Sequence, residues 1–351
     1  MFFRRFIVKL EEKLFSPGRV LFQNLNSYTK DFKQLISKIN KDKLQEVEVI
    51  THGVGSWRFY PMGINKDEIV YGNGFEFQKT PAKNINDLID EVLKKNPTIS
   101  FEIDVQYPPE NHEIRKKFPL NYGCVIHDIP NWEKIKVTSK ATQYLQRNSI
   151  KNVLNHFVNC KYYQKSKLHI EIKVTEECYG NQTVNCELIC RDLAKDLLEF
   201  IEKYKRASNE NWIWITSFSP KALKIFRKNL PENLRNSIEY SLILGYQGGF
   251  IKSKLAQLKG FVPAFDEKIK LEILEMDWLN CIWFSIQGIP NFKEEFIILN
   301  QKRKERNPNI PNLEFNFSTY QFRKEKLFLM LLKHGKYPFN FRSFLIDIDD
   351  K

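Results

Sequence analysis

The amino-acid sequence predicts an α/β protein built as a (β/α)8 TIM barrel with an N-terminal helical extension. Three observations predict it. Short β-rich runs alternate with longer helical patterns from residue 47 onward, the cadence of parallel strands joined by crossover helices. The stretch 47–349 has the size of such a barrel, for which about 250 residues is typical. Within two of the strand-like runs, ionisable residues stand two apart in otherwise apolar sequence.

Residues 1–45 read as the helical extension and 46–351 as the barrel. Phe3, Phe6, Ile7, Leu10 and Leu14 recur at spacings of three and four until Ser16-Pro17-Gly18 breaks the run. A second helix follows, with Phe32, Leu35, Ile36 and Ile39 on one face and Lys30, Lys33 and Lys38 on the other. The strand candidates are Val47–Thr51, Ile99–Val105, Cys124–Asp128, Leu168–Val174, Trp212–Phe218, Glu239–Gly245, Cys281–Ile286, Leu313–Thr319 and Phe344–Asp349. These are nine for a sheet of eight, so Cys124–Asp128 is expected as a loop strand or hairpin arm. Helical patterns lie between most of them, at Ile85–Lys95, Thr142–Asn155, Cys186–Lys205, Pro220–Lys228, Phe292–Arg303 and Arg323–His334. A doubly wound open sheet would show a Gly-rich G-x-G-x-x-G turn after its first strand. Here the strand runs into Thr51-His52-Gly53-Val54-Gly55-Ser56, and Trp57–Tyr60 with Glu68–Tyr71 reads as a β-hairpin, so dinucleotide binding is disfavoured.

Composition narrows the class further. With 42% hydrophobic and 28% charged residues, the chain is neither disordered nor collagen-like. Six cysteines in 351 residues make no disulfide scaffold, and Cys186 and Cys190 have no second pair at zinc-ligand spacing. No apolar run has the length of a signal peptide or a membrane span, so a cytoplasmic protein is expected. Phe2, Phe3, Arg4 and Arg5 would let residues 1–15 lie on a membrane surface. The net charge of +13 favours an anionic partner: nucleic acid, a phospholipid surface or a phosphate-bearing substrate. Nucleic acid is the weakest of these, since Lys302–Arg306 is the single compact basic block and no nucleic-acid module is recognisable.

The rare polar residues at strand ends carry the chemistry. Catalytic groups of a barrel project from the C-terminal ends of its strands. Strand one ends at His52. In Ile99–Val105, Glu102 and Asp104 are two apart and therefore share a face. Side by side in an apolar strand they repel, and a divalent cation is the usual remedy. Glu171 and Lys173 repeat the device in Leu168–Val174, adding a third carboxylate and a cation suited to phosphate. His127 closes another apolar run.

In order, His52-Gly53, Glu102-Ile-Asp-Val105, Val125-Ile-His-Asp128, Glu171-Ile-Lys173 and Ser217-Phe218 resemble the glycerophosphodiester phosphodiesterase family of phospholipase-C-like TIM barrels. The resemblance covers residues 47–230 well and weakens beyond. It implies that Glu102, Asp104 and Glu171 hold one Mg²⁺ or Ca²⁺, that Lys173 contacts phosphate, and that His52 and His127 form the acid/base pair. It further implies hydrolysis of a glycerophosphodiester to an alcohol and a phosphomonoester. The sequence departs from the family pattern at Gly53, where an Arg is usual, leaving Arg58 as the nearest candidate to bind substrate. The family's Pro-Glu-Asn-Thr signature is replaced by the aromatic insertion Trp57–Phe77, and a second insertion spans Tyr107–Leu120. Aromatic loops over a barrel mouth suit a lipid-like or bulky alcohol better than free glycerol. Two other readings fit the sequence: a sphingomyelinase D/phospholipase D-like lipid phosphodiesterase, and a non-catalytic basic barrel binding an anionic surface or nucleic acid.

Overall fold

The structure, a computed structural model, describes residues 20–21, 48–55, 61–65, 68–71, 85–110, 112, 113, 115, 123–127, 132, 140–162, 164–173, 186–204, 210–244, 265–285, 292–318, 341–346 and 348–349. Eight of its strands form a ring: β1 (Glu48–Thr51), β2 (Ser100–Gln106), β3 (Leu168–Ile172), β4 (Ile213–Ser217), β5 (Glu239–Ile243), β6 (Cys281–Ser285), β7 (Glu314–Ser318) and β8 (Phe341–Ile346). Each pairs in parallel with the next, and β8 pairs in parallel with β1, so the sheet closes on itself. Helices α1 (Ile85–Lys95), α2 (Lys140–Arg147), α3 (Ile150–Asn159), α4 (Cys186–Lys203), α5 (Pro220–Asn229), α6 (Glu267–Glu275) and α7 (Phe292–Arg306) lie in the crossovers. None of the described helices is long and apolar enough to cross a membrane.

Strand alternation divides the molecule into two interiors. In β2 every residue is buried, with Phe101, Ile103 and Val105 on one face and Ser100, Glu102, Asp104 and Gln106 on the other. The apolar face joins the main core between sheet and helices, which also takes Ile85, Ile89, Leu93, Phe157 and Leu197. A parallel barrel needs this two-sided burial because helices cover its outside. Inside the ring a smaller apolar cluster forms from Ile50, Trp214, Ile243, Cys281, Trp283 and Leu345.

At the N-terminal ends of the strands the barrel is plugged by charge. His169 Nε2 lies 3.1 Å from Glu48 Oε1, and its ring packs against Trp214 and Trp283 with centroids 5.2 and 5.6 Å away. Arg342 pairs with Glu239 at 3.0 Å and with Glu314, and its guanidinium lies 4.2 Å above Trp214. A cation over an indole face in a desolvated setting contributes about 2 kcal/mol.

Most elements match the sequence reading to within two or three residues. Cys124–Val125 is indeed a hairpin arm, antiparallel to β2 and outside the ring. Four elements differ. The pattern read as one helix over Thr142–Asn155 is two, α2 and α3. Ser149 N-caps α3 by accepting from the Asn152 amide at 3.4 Å, while the Asn148 side chain accepts from the Ile85 amide at 2.9 Å at the start of α1. The partner of Glu68–Tyr71 in the small hairpin is Pro61–Asn65, not Trp57–Tyr60, which lies outside the described residues. The final strand run divides into β8 and Ile348–Asp349, and the latter pairs in parallel with Val20–Leu21. Helix α6 has no counterpart among the sequence assignments. The helical readings at Phe3–Leu14, Phe32–Ile39 and Arg323–His334 lie outside the described residues.

The charged plug makes stability depend on acid. Burial pushes the Glu48 carboxyl up, but His169 and Lys167 outweigh it and hold the group at about 2, against an ordinary 4.5. Burial likewise holds the His169 imidazole below its ordinary 6.5, despite the pull of Glu48. Both values are depressed in the folded chain, so the unfolded chain binds these protons first as pH falls. Stability is expected to decline below pH 6.5 and again from 4.5 towards 2, the Glu48 share being on the order of 3 kcal/mol. Urea melts across this range check it, with Glu48→Gln flattening the lower decline.

Candidate active site

The site lies at the C-terminal ends of β1–β3. Alternation along β2 sends Glu102 and Asp104 into the ring, and the register sets Asp104 beside Glu171 of β3. These three carboxylates are buried, with one oxygen of each within 4.8 Å of the others, the one such acidic cluster among the described residues. Lys173, just past the end of β3, brings its ammonium 3.0 Å from Asp104 Oδ1 and 3.0 Å from Glu171 Oε1. The same Nζ is 3.4 Å from His127 Nε2. Lys173 thus forms ion pairs with two carboxylates and stands beside His127.

The histidines arrive by different routes. β1 runs into a short turn over His52–Gly55, where His52 is buried with its Nε2 3.9 Å from Glu102 Oε2. The next amide, of Gly53, donates to that same Glu102 oxygen at 3.1 Å. His127 follows the Cys124–Val125 arm and remains partly exposed, its carbonyl accepting from Gln106 Nε2 at 3.3 Å. The two rings meet edge to face with centroids 6.3 Å apart. Phe218, just past β4, lies 5.9 Å from the Lys173 ammonium.

Electrostatics sorts the carboxyls. Burial, then Asp104 and Glu171, push Glu102 well up, although Lys173 and the Gly53 amide pull the other way. Burial also raises Glu171, with Lys173 opposing. For Asp104, burial is outweighed by Lys173, His127 and His52, which hold it below the ordinary range. Burial alone would lower Lys173; the three carboxylates lift it well above its usual value. The donor set fits a hard divalent cation. All three ligands offer carboxylate oxygen, and the buried Glu102 Oε1 has no hydrogen-bond partner among the described residues.

Six of the seven residues singled out from sequence are therefore close together: His52, Glu102, Asp104, His127, Glu171 and Lys173. The seventh, Arg58, lies outside the described residues, as do Trp57, Phe59, Tyr60, Phe75 and Phe77 of the aromatic insertion. Sequence reasoning missed the Gly53 amide, which orients Glu102, and the Gln106 amide, which holds the His127 backbone. Gln106 continues the inward face of Glu102 and Asp104, and this spacing was its signal.

No family model and no curated protein matches the sequence. Among solved structures, a chain from Silicibacter pomeroyi DSS-3 named "Putative glycerophosphoryl diester phosphodiesterase" superposes with a TM-score of 0.43 at 8% identity, over 90% of this chain and 94% of that one. The barrel itself is defined by the strand pairing described above.

Divalent cation binding is expected to stabilise the protein by about 2.7 kcal/mol at a hundredfold excess over Kd. Thermal melts with and without Ca²⁺ or Mg²⁺ measure this, and the doubly substituted Glu102→Gln, Glu171→Gln protein should show no ion-dependent rise in Tm.

Proposed function

We propose that this chain is a metal-dependent phosphodiesterase that hydrolyses a glycerophosphodiester, or a lysophospholipid-like phosphodiester, to an alcohol and a phosphomonoester. One observation carries the reading: three buried carboxylates and one lysine converge beside a pair of histidines at the C-terminal end of a parallel barrel. A phosphodiester monoanion resists attack because its oxygens repel a nucleophile. Glu102, Asp104 and Glu171 would hold one Mg²⁺ or Ca²⁺, which when bound withdraws charge from the phosphate.

The chain's own residues supply the remainder. Lys173 is the cation for a phosphate oxygen. Its longest contact, 3.4 Å to His127, is the one a phosphate oxygen replaces with least loss, since the two carboxylate contacts are charge-assisted. His127, with its Nε2 3.4 Å from Lys173 Nζ and its ring partly exposed, is the candidate to accept a proton. His52, at the Glu102 side of the cluster, is the candidate to protonate the leaving alcohol, although the two roles can exchange. Burial of His52 excludes water from that side. Arg58 and the aromatic insertion are the candidates to select the alcohol group. Residues 1–15 are the candidate contact with a membrane that holds such a substrate.

Glu102→Gln, Glu171→Gln and His127→Ala are each expected to lower metal-dependent turnover by about 10²-fold or more. Assays of product release from glycerophosphocholine and from lysophosphatidylcholine, with added Mg²⁺ or Ca²⁺, measure it and rank the two substrate types. Undiminished turnover in all three variants would overturn the assignment.

A further inference from the structure

The insertion after β2 returns to the barrel through a feature outside the acidic cluster. Tyr107 directly follows β2, and Gly123 directly precedes the Cys124–Val125 arm, so these two residues bracket the insertion. Both reach the same atom. Asp196 of α4, 7% exposed, accepts with Oδ2 from the Tyr107 hydroxyl at 2.6 Å and from the Gly123 amide at 3.0 Å. Burial and Asp196 keep the Tyr107 phenol protonated, so it remains a donor. The approach is too close for any side chain at 123. A Cβ there would stand 2.5 Å from Val105 Cγ1 and 2.7 Å from the Tyr107 ring. One turn earlier on α4, Asp192 pairs with Arg115 of the insertion at 2.7 Å.

From Gly123 the connection to the site is short and stiff. The arm pairs Gln106 with Cys124 and Val105 with Val125. The Ile126 amide then donates to the Asp104 carbonyl at 3.1 Å, and His127 follows. A shift at Gly123 is therefore delivered to His127 within four residues.

We propose that Asp196 is a positioning residue for His127: its single oxygen gathers both ends of the insertion and so sets where the Cys124–His127 segment stands over the acidic cluster. The proposal rests on the catalytic reading of His127 for its effect on turnover, but not for its effect on the ring's position. In Asp196→Ala, kcat is expected to fall about ten- to a hundredfold while KM changes little, the response to a misplaced catalytic group. Asp196→Asn, whose amide oxygen can accept the same two donors, should restore turnover. The His127 ring resonances, assigned with His127→Ala, should move in Asp196→Ala and return in Asp196→Asn. That measurement stands even if the protein hydrolyses neither substrate. Tyr107→Phe removes one donor only and serves if Asp196→Ala does not fold; a smaller movement of the same resonances is expected. Unmoved His127 resonances in a folded Asp196→Ala or Tyr107→Phe protein, or no recovery in Asp196→Asn, would overturn the proposal.

Discussion

The confinement of three carboxylates in a space under 5 Å, away from water, is the constraint on which the site depends. Buried like charges are tolerated only with compensation. One ammonium, Lys173, pairs with Asp104 and Glu171 alike. Asp104 is held low because His127 and His52 act on it as well, whereas burial and the neighbouring carboxylates push Glu102 and Glu171 up. The three carboxylates offer the oxygen donors that a further positive charge would take. A cation entering it would favour the ionised form of all three carboxyls and release whatever protons Glu102 and Glu171 carry.

That cluster can exist because the barrel's stability is supplied elsewhere. The main apolar core lies outside the ring, between strands and helices, where Phe101, Ile103 and Val105 meet α1, α3 and α4. The ring interior is therefore released from being uniformly apolar. It carries charge at both ends: the Glu48–His169 and Arg342–Glu239–Glu314 contacts below, the Glu102–Asp104–Glu171–Lys173 cluster above. Trp214, Trp283, Ile50 and Leu345 belong to the apolar cluster inside the ring. Glu48 and His52, the first residue of β1 and the residue just past its end, belong to opposite ends of this arrangement.

How much of this was legible in the sequence follows from the same division. The i, i+2 spacing of Glu102 with Asp104 and of Glu171 with Lys173 reports directly which side chains share a face. The strand–helix cadence reports the crossovers. Both are local signals, and both match the structure. The break between α2 and α3 was hidden because Asn148 and Ser149 sit within a run of good helical spacing. What stops the helix is partly remote, the Ile85 amide on the Asn148 side chain. The Gly53 amide and the Asp196 carboxylate were hidden for a related reason. Each acts on a residue tens of positions away, so no spacing within one element reveals it. Gly53 even reads as a loss, since the resemblance places an Arg there.

The turn that follows β1 shows what that glycine contributes. Gly53 and Val54 both have φ of 59°, and Val54 is the one described non-glycine residue with positive φ. A left-handed conformation costs an L residue roughly 1–2 kcal/mol, and a β-branched one is poorly suited to it. Full burial of a valine side chain contributes about 1.5–3 kcal/mol, and Val54 is completely buried, with its turn packed against α1. The packing therefore offsets the strain, and the two together fix the direction of the turn. Two left-handed residues in succession turn the chain sharply enough to leave His52 inside the ring and to aim the Gly53 N–H at Glu102 Oε2. An Arg side chain at 53 would add a charge near the cluster but would have to adopt the same φ. In this chain the backbone amide at that position partners Glu102, while Lys173 pairs with Asp104 and Glu171.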